Sequence, residues 1–313
     1  VKVNATLILG MLDEKYATRS DPSVKPLSAA NRMLTVIVDR CVSNQTFPSY
    51  VESASLVGLE RHSRYADAMD TQSKNNTARS LLKAVAQQEY RSPTPRSARN
   101  WMKLQAAEGI ANFKSAGPNG VFAKAIAGLV QEERVDLPTR CAAVELLKRM
   151  DLSGAPPAVG QQLVSAAKQV ACDLAAEERD NVSAVRRLAG STGRSGMDSE
   201  TNVRFKRDEQ IGIGWQYERR GLSTQLTMLN SGLGAVKALA GDDAAAIELV
   251  TAAVKRTLTA AEEEDNPYEM ISSVEGMCDE VTRSFGCQAK PESADGAEAA
   301  AAPGGLMPGR SIN

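Results

Sequence analysis

The chain has 313 residues, of which 42% are hydrophobic and only 4% aromatic. An alanine-rich, aromatic-poor composition favours close-packed helices over a β-sandwich, which draws on Val, Tyr, Phe and Thr. With 37 basic and 38 acidic residues the net charge is −1. No bulk field draws the chain to nucleic acid or an anionic membrane, and no apolar run is long enough to cross a bilayer.

The first predicted element is the helix VKVNATLILGML, with Ala5, Leu9 and Leu12 on one face. NRMLTVIVDRCV follows, with Leu34, Ile37, Val38 and Cys41 on one stripe, and then FPSYVESASLVGLERH. Residues 63–75 are polar and irregular and read as a loop. The helical period resumes in NTARSLLKAVAQQEY, breaks at SPTP, returns in NWMKLQAAEGIANF and breaks again at GPNG. VFAKAIAGLVQEER and DLPTRCAAVELLKRM complete the first half.

These elements group into three helical pairs, over about 31–62, 76–113 and 120–150. The second helix of a pair carries a small residue with larger ones four and seven positions on. Ala143, Leu147 and Met150 match Ala106, Ile110 and Phe113, and Ala5, Leu9 and Leu12 repeat the pattern. Ser53 and Val57 fill two slots, and Glu60 stands in the third. A small side chain lets two helix axes approach to about 8–10 Å, while its larger neighbours fill the space beside the contact. One pair alone buries too little apolar surface, so the pairs are expected to stack.

DLPTRCAAVELLKRM resembles the second helix of a HEAT repeat, with Arg140, Ala142, Ala143, Leu147 and Met150 in the places of the pattern. WMKLQAAEGIANF is similar, with Leu104 near the place of the arginine. The resemblance is to bacterial HEAT-repeat proteins of unassigned function and covers about residues 1–150. It implies an α-solenoid whose extended, often concave, surface binds protein segments. It also implies that VKVNATLILGML is a second helix without its first, so the chain is expected to start inside a truncated repeat.

The second half reads differently. AVGQQLVSAAKQVACDLAAEE is a longer amphipathic helix with Leu163, Ala167, Val170 and Leu174 on its stripe. Residues 190–214 read as a mobile loop. Leu222, Leu226, Leu229, Leu233 and Val236 form a heptad-like seam. GDD at 241–243 separates this helix from the next, and NPYEMISSVEGMCDEV opens with Asn266 as cap and Pro267 in the first turn. The composition from 288 to 313 reads as a disordered tail. The expected organisation is therefore all-α: HEAT-like repeats over 1–155, longer packed helices over 156–287, then the tail.

Residues that could carry chemistry are sparse. His62 is the only histidine, which removes most Ser-His-Asp, Cys-His and His-zinc arrangements; at a helix end it reads as solvated or capping. Five widely spaced cysteines read as buried free thiols. GIGWQYER lacks the phosphate-loop pattern, and EEED at 262–265 reads as a charged connector. No cofactor and no metal site is expected.

The function expected is non-catalytic protein binding, with second helices carrying Lys103, Arg140 and Arg149 lining or bordering the partner surface. One alternative is nucleic-acid binding by the basic and aromatic stretch 186–220, through Arg204, Lys206, Arg207, Trp215, Arg219 and Arg220. Acidic residues dilute that stretch. The other alternative is an all-helical enzyme using dispersed carboxylates or a thiol such as Cys141.

Overall fold

The computed structural model describes residues 1–44, 47–90, 94–191, 221–263 and 267–287. They are almost entirely helical: α1 (Lys2–Met11), α2 (Ser28–Asn44), α3 (Ser49–Ser63), α4 (Thr71–Val85), α5 (Arg96–Ala111), α6 (Val121–Gln131), α7 (Leu137–Leu146), α8 (Pro157–Ser191), α9 (221–236), α10 (Ala244–Glu263) and α11 (Pro267–Phe285). A small antiparallel ribbon of β1 (Asp13–Lys15) and β2 (Lys25–Pro26) joins α1 to α2. The fold is all-α. The stretch expected as loop from 63 to 75 is shorter than the sequence suggests. Asp70 caps α4 by accepting a hydrogen bond from the Ser73 amide at 2.8 Å, so that helix starts at Thr71.

Helices α2 and α3, α4 and α5, and α6 and α7 pack as hairpins. The first helices then pack in series, α2 on α4, α4 on α6 and α6 on α8. The second helices do the same, α1 on α3, α3 on α5 and α5 on α7. Gly232 of α9 lies against Val144 of α7, which extends that row. Helix α11 packs on α8, and α10 on α11. Buried side chains from Leu34 to Val281 form one connected core, without a break at residue 155.

Small residues do lie at the helix crossings, and the residues in question are partly other than expected. Ala106 with Ile110 and Ala143 with Leu147 are fully buried. In α1 the buried positions are Thr6 and Gly10, one residue off the Ala5 stripe, and Ala5 is exposed. Gly10 faces Gly58 of α3 so closely that a Cβ on Gly10 would stand 2.6 Å from the Gly58 Cα. Glycine therefore lets α1 and α3 meet backbone to backbone, and Ser53 and Val57 are only half-buried. A helix whose apolar residues are spread around its circumference, as in α1, does not announce which face it buries.

Polar groups tie the hairpins together from inside. Asn31 of α2 donates to the Thr77 hydroxyl of α4 at 2.9 Å and lies 3.3 Å from His62 Nδ1 of α3. Asn112 donates to Glu60 at 3.1 Å and to Ser63 at 3.0 Å, linking the end of α5 to α3. Glu60 is buried and accepts a bidentate pair from Arg64.

Cys172 and Cys287 form a disulfide, which corrects the expectation of five free thiols. The pairing is a product of tertiary packing. α11 runs along α8, and the turn at Gly286 (φ +63°) brings residue 287 back so that the two Cα atoms stand 5.5 Å apart across 115 residues of sequence. Cys41, Cys141 and Cys278 are free and buried. No helix among the described residues is long and apolar enough to cross a membrane.

Candidate functional site

The two sides of the row of second helices differ. One side is covered by the first helices and holds the core. Among the described residues the opposite side is open, and helical phase identifies the residues on it. On α3, Gly58 meets α1 while Glu60 meets α5. Tyr50, Ser53, Val57 and Arg64 are the positions left pointing away from both neighbours and from the core. Tyr50 is 56% exposed. On α5, Gly109 abuts Leu81 of α4 and the Glu60 backbone of α3, which leaves Ser97, Trp101, Leu104 and Glu108 on the open side. Trp101 is 44% exposed, and Leu104 and Glu108 are half-buried.

The neighbours continue the stripe. On α1, Leu7 and Met11 lie a quarter turn from Gly10 and are exposed. On α7, Pro138, Ala142 and Glu145 share one face, half-buried or exposed, and Arg149 follows in the 3-10 turn Leu147–Arg149. The open side thus carries apolar groups on four successive helices, with two aromatic rings on adjacent ones. A charged border follows near the helix C-termini. Burial raises the Glu108 carboxyl, with Glu60 adding to the rise and Arg149 acting against it. This places Arg149 within electrostatic reach of Glu108, on the border of the face.

Lys103 and Arg140, expected on the same face, are interior. Lys103 is 3% exposed and donates to both carboxylate oxygens of Glu132 at 2.6 and 2.5 Å. Arg140 is 5% exposed. Its Nε donates to the Val130 carbonyl at 2.6 Å and its Nη1 pairs with Asp173 of α8 at 2.7 Å. The physical reason is register. Lys103 sits three and seven residues before Ala106 and Ile110, and Arg140 three and seven before Ala143 and Leu147, so each lies on its helix's buried stripe. Each cation is admitted there because a carboxylate meets it.

The candidate reactive groups are muted by burial. His62 is fully buried, not solvated; desolvation lowers its pKa to about 4, with Arg61 adding to the fall, so it is neutral. Its Nε2 has no hydrogen-bond partner among the described residues. Burial raises the Cys141 thiol to about 12, so it carries no thiolate at neutral pH. Glu52 of α3 is buried and raised to about 7 by desolvation. Neither His62 nor Cys141 is set up as base or nucleophile.

Cavities open on the described surface, among them the following two. One of about 730 Å³ lies between α8, the turn near Leu239–Asp243 and the end of α11, with the Cys172–Cys287 bond in its wall. Lys168 spans it, over the Phe285 ring and 3.0 Å from Asp243. The second, of about 400 Å³, lies where α5 begins, beside the α6–α7 turn. Arg204, Lys206, Arg207, Trp215, Arg219 and Arg220, proposed for nucleic acid, lie outside the described residues, as do most of the 190–214 loop and the whole 288–313 tail.

Sequence reasoning missed Tyr50 and Trp101. Their signal was phase: Trp101 falls off the Ala106–Ile110–Phe113 stripe, and so a large ring there is not a core residue. No family model, curated protein or solved structure matches the chain.

Proposed function

We propose that this protein is a non-catalytic binding scaffold, a HEAT-like solenoid of stacked hairpins that engages a protein segment through the open side of its second helices. The observation that carries the reading is the pair Tyr50 and Trp101. Two large aromatic rings stand in solvent on the same side of adjacent helices, continued by Leu7 and Met11 on α1. Exposed apolar groups gathered on one face mark interaction sites, and Trp and Tyr are the residues that most often dominate an interface. Serial packing of first on first and second on second helices supports the solenoid reading, because each hairpin shields the next. Binding by such a face requires no reacting group.

The test is site-specific photocrosslinking in the native cell, with benzoylphenylalanine at position 50 or 101 and, as control, at Lys124, an exposed position of α6 on the first-helix row. The reading expects one protein captured from both aromatic positions and not from 124. Capture from 124 alone, or from all three alike, would refute it.

The disulfide supports a working place in an oxidising compartment, where such bonds persist. By the chain-entropy argument a cross-link over a segment this long contributes about 2–5 kcal/mol. Reduction by dithiothreitol should therefore lower the melting temperature, and protein isolated under thiol-blocking conditions should show the bond already formed. Free Cys172 in such a preparation would contradict the assignment.

A further inference from the structure

The smaller cavity holds an unresolved electrostatic imbalance. Its lining brings together Arg96, Arg99 and Lys103 of α5 with Arg134 of the α6–α7 turn. Against these stand Glu132 and Glu133 in the lining and, beside it, Asp136, whose carboxyl Arg96 helps to lower. Glu132 is committed to Lys103, in a bidentate contact that forms the floor. Arg96 donates its Nε to the Arg134 carbonyl at 2.7 Å, which ties the start of α5 to the α6–α7 turn. Arg99 lies 5.9 Å from the centroid of the Tyr90 ring, whose face backs it. Arg96, Arg99 and Arg134 make no ion pair among the described residues.

The position of this cluster sharpens the point. Three of the cations stand in the first two turns of α5, a helix of 16 residues. The N-terminal end of a helix is its positive end and ordinarily attracts acids or a capping oxygen. Here the N-cap is Pro95, no side chain caps the helix and its first turn contains no acid. Helix α4 of the same hairpin and α7 of the next begin with a capping aspartate, Asp70 and Asp136, while α3 starts on Pro48 without a side-chain cap but with Glu52 in its first turn. Cations crowded at an uncapped positive end oppose folding, and an anion seated among them would relieve both effects at once.

We propose that this cavity is a recognition pocket for a carboxylate of an acidic peptide segment, held by Arg99 and Arg134 with Arg96 at its edge. A planar guanidinium suits a carboxylate through paired N–H donors. A cavity of about 400 Å³ is at the small end of ligand sites and suits a side chain or a chain terminus. Glu133, exposed at the same mouth, disfavours a continuous phosphate backbone and can accept a peptide N–H. The pocket is separate from the Tyr50–Trp101 face, and the two stand or fall independently.

The experiment uses the full chain and a fluorescein-labelled acetyl-hexaglutamate amide, followed by fluorescence anisotropy at low salt. Saturable binding is expected for the wild type. The double variant R99A/R134A should bind at least about tenfold more weakly, while R32A/R40A, a control at two exposed arginines of α2, should bind as the wild type does. Glu133→Gln should tighten binding a few-fold. Ser97→Glu, which supplies the missing acid in the first turn, should weaken the peptide and raise the melting temperature of the free protein. Y50A/W101A should leave the peptide affinity unchanged, which keeps this result distinct from that of the open face. Equal binding by wild type and R99A/R134A, or no binding by either, overturns the proposal. So does tighter binding of a thymidine hexanucleotide than of the peptide, dependent on the same arginines, which would make the pocket a phosphodiester site.

Discussion

Helices α5 and α7 occupy equivalent places in adjacent hairpins, and they begin in opposite ways. α7 starts on Asp136, which accepts from the Thr139 amide at 2.9 Å and from Asn100 of α5 at 2.5 Å. Its one cation in the first turns, Arg140, is buried and paired. α5 starts on Pro95 with no cap and exposes Arg96 and Arg99 at its positive end. Further along, α5 shows solvent a tryptophan, whereas the open stripe of α7 presents Ala142 and Glu145, with Arg149 in the turn after it. The same place is thus settled for stability in one hairpin and left electrostatically and hydrophobically open in the other. Helix α3 also starts on a proline without a side-chain cap, but it has Glu52 in its first turn, whereas α5 has cations and no acid there.

Breaking the settled helix should cost most. Arg140→Ala leaves the Val130 carbonyl and Asp173 without their charged donor. Asp173 is partly solvated and can rehydrate, so the loss is expected at about 2–3 kcal/mol. Chemical denaturation should show a lower midpoint with an unchanged slope. A change below the error of that measurement would mean that the buried pair contributes little.

Asp136→Ala comes next, at about 1–2 kcal/mol. Burial pushes the Asp136 carboxyl up, but hydrogen bonds from Thr139 and Asn100 outweigh it and hold the pKa below its ordinary value. A lowered folded pKa means that the carboxylate stabilises the fold above the unfolded value of about 3.9 and that this contribution fades as pH falls below it. The variant should therefore lose its deficit relative to wild type in acid. A deficit that stays constant from pH 7 to pH 3 would show that the cap does not act through its charge.

The smallest effect has the opposite sign. Ser97→Glu gives α5 the acid that its first turn lacks, and the free protein should gain about 0.3–1 kcal/mol, read as a higher melting temperature at low salt and a smaller gain at high salt. No gain would mean that the start of α5 is already balanced.

Much of this architecture is legible in the sequence. The three hairpins follow from apolar periodicity, and the Leu222–Val236 seam is buried throughout. Pro267 starts α11 as its position suggests. The site is less legible, for reasons that particular residues expose. Charge type suggested surface for Lys103 and Arg140, although their spacing from Ala106 and Ala143 placed them on the buried stripe; spacing was the better guide. Glu52, Ser55, Leu59 and His62 share one buried stripe of α3, and its polar members hide it from a hydrophobicity reading. The Gly10–Gly58 contact and the Cys172–Cys287 bond depend on which helices meet in space, and periodicity within one helix does not carry that information.

The measurement that bears most directly on the binding face is the dissociation constant for the protein crosslinked from position 101, compared between wild type and Y50A/W101A. Hot-spot aromatics contribute about 2 kcal/mol or more each, so affinity should fall at least about a hundredfold with the melting temperature unchanged. An unaltered dissociation constant would contradict the account, because the rings would then be exposed without recognising anything.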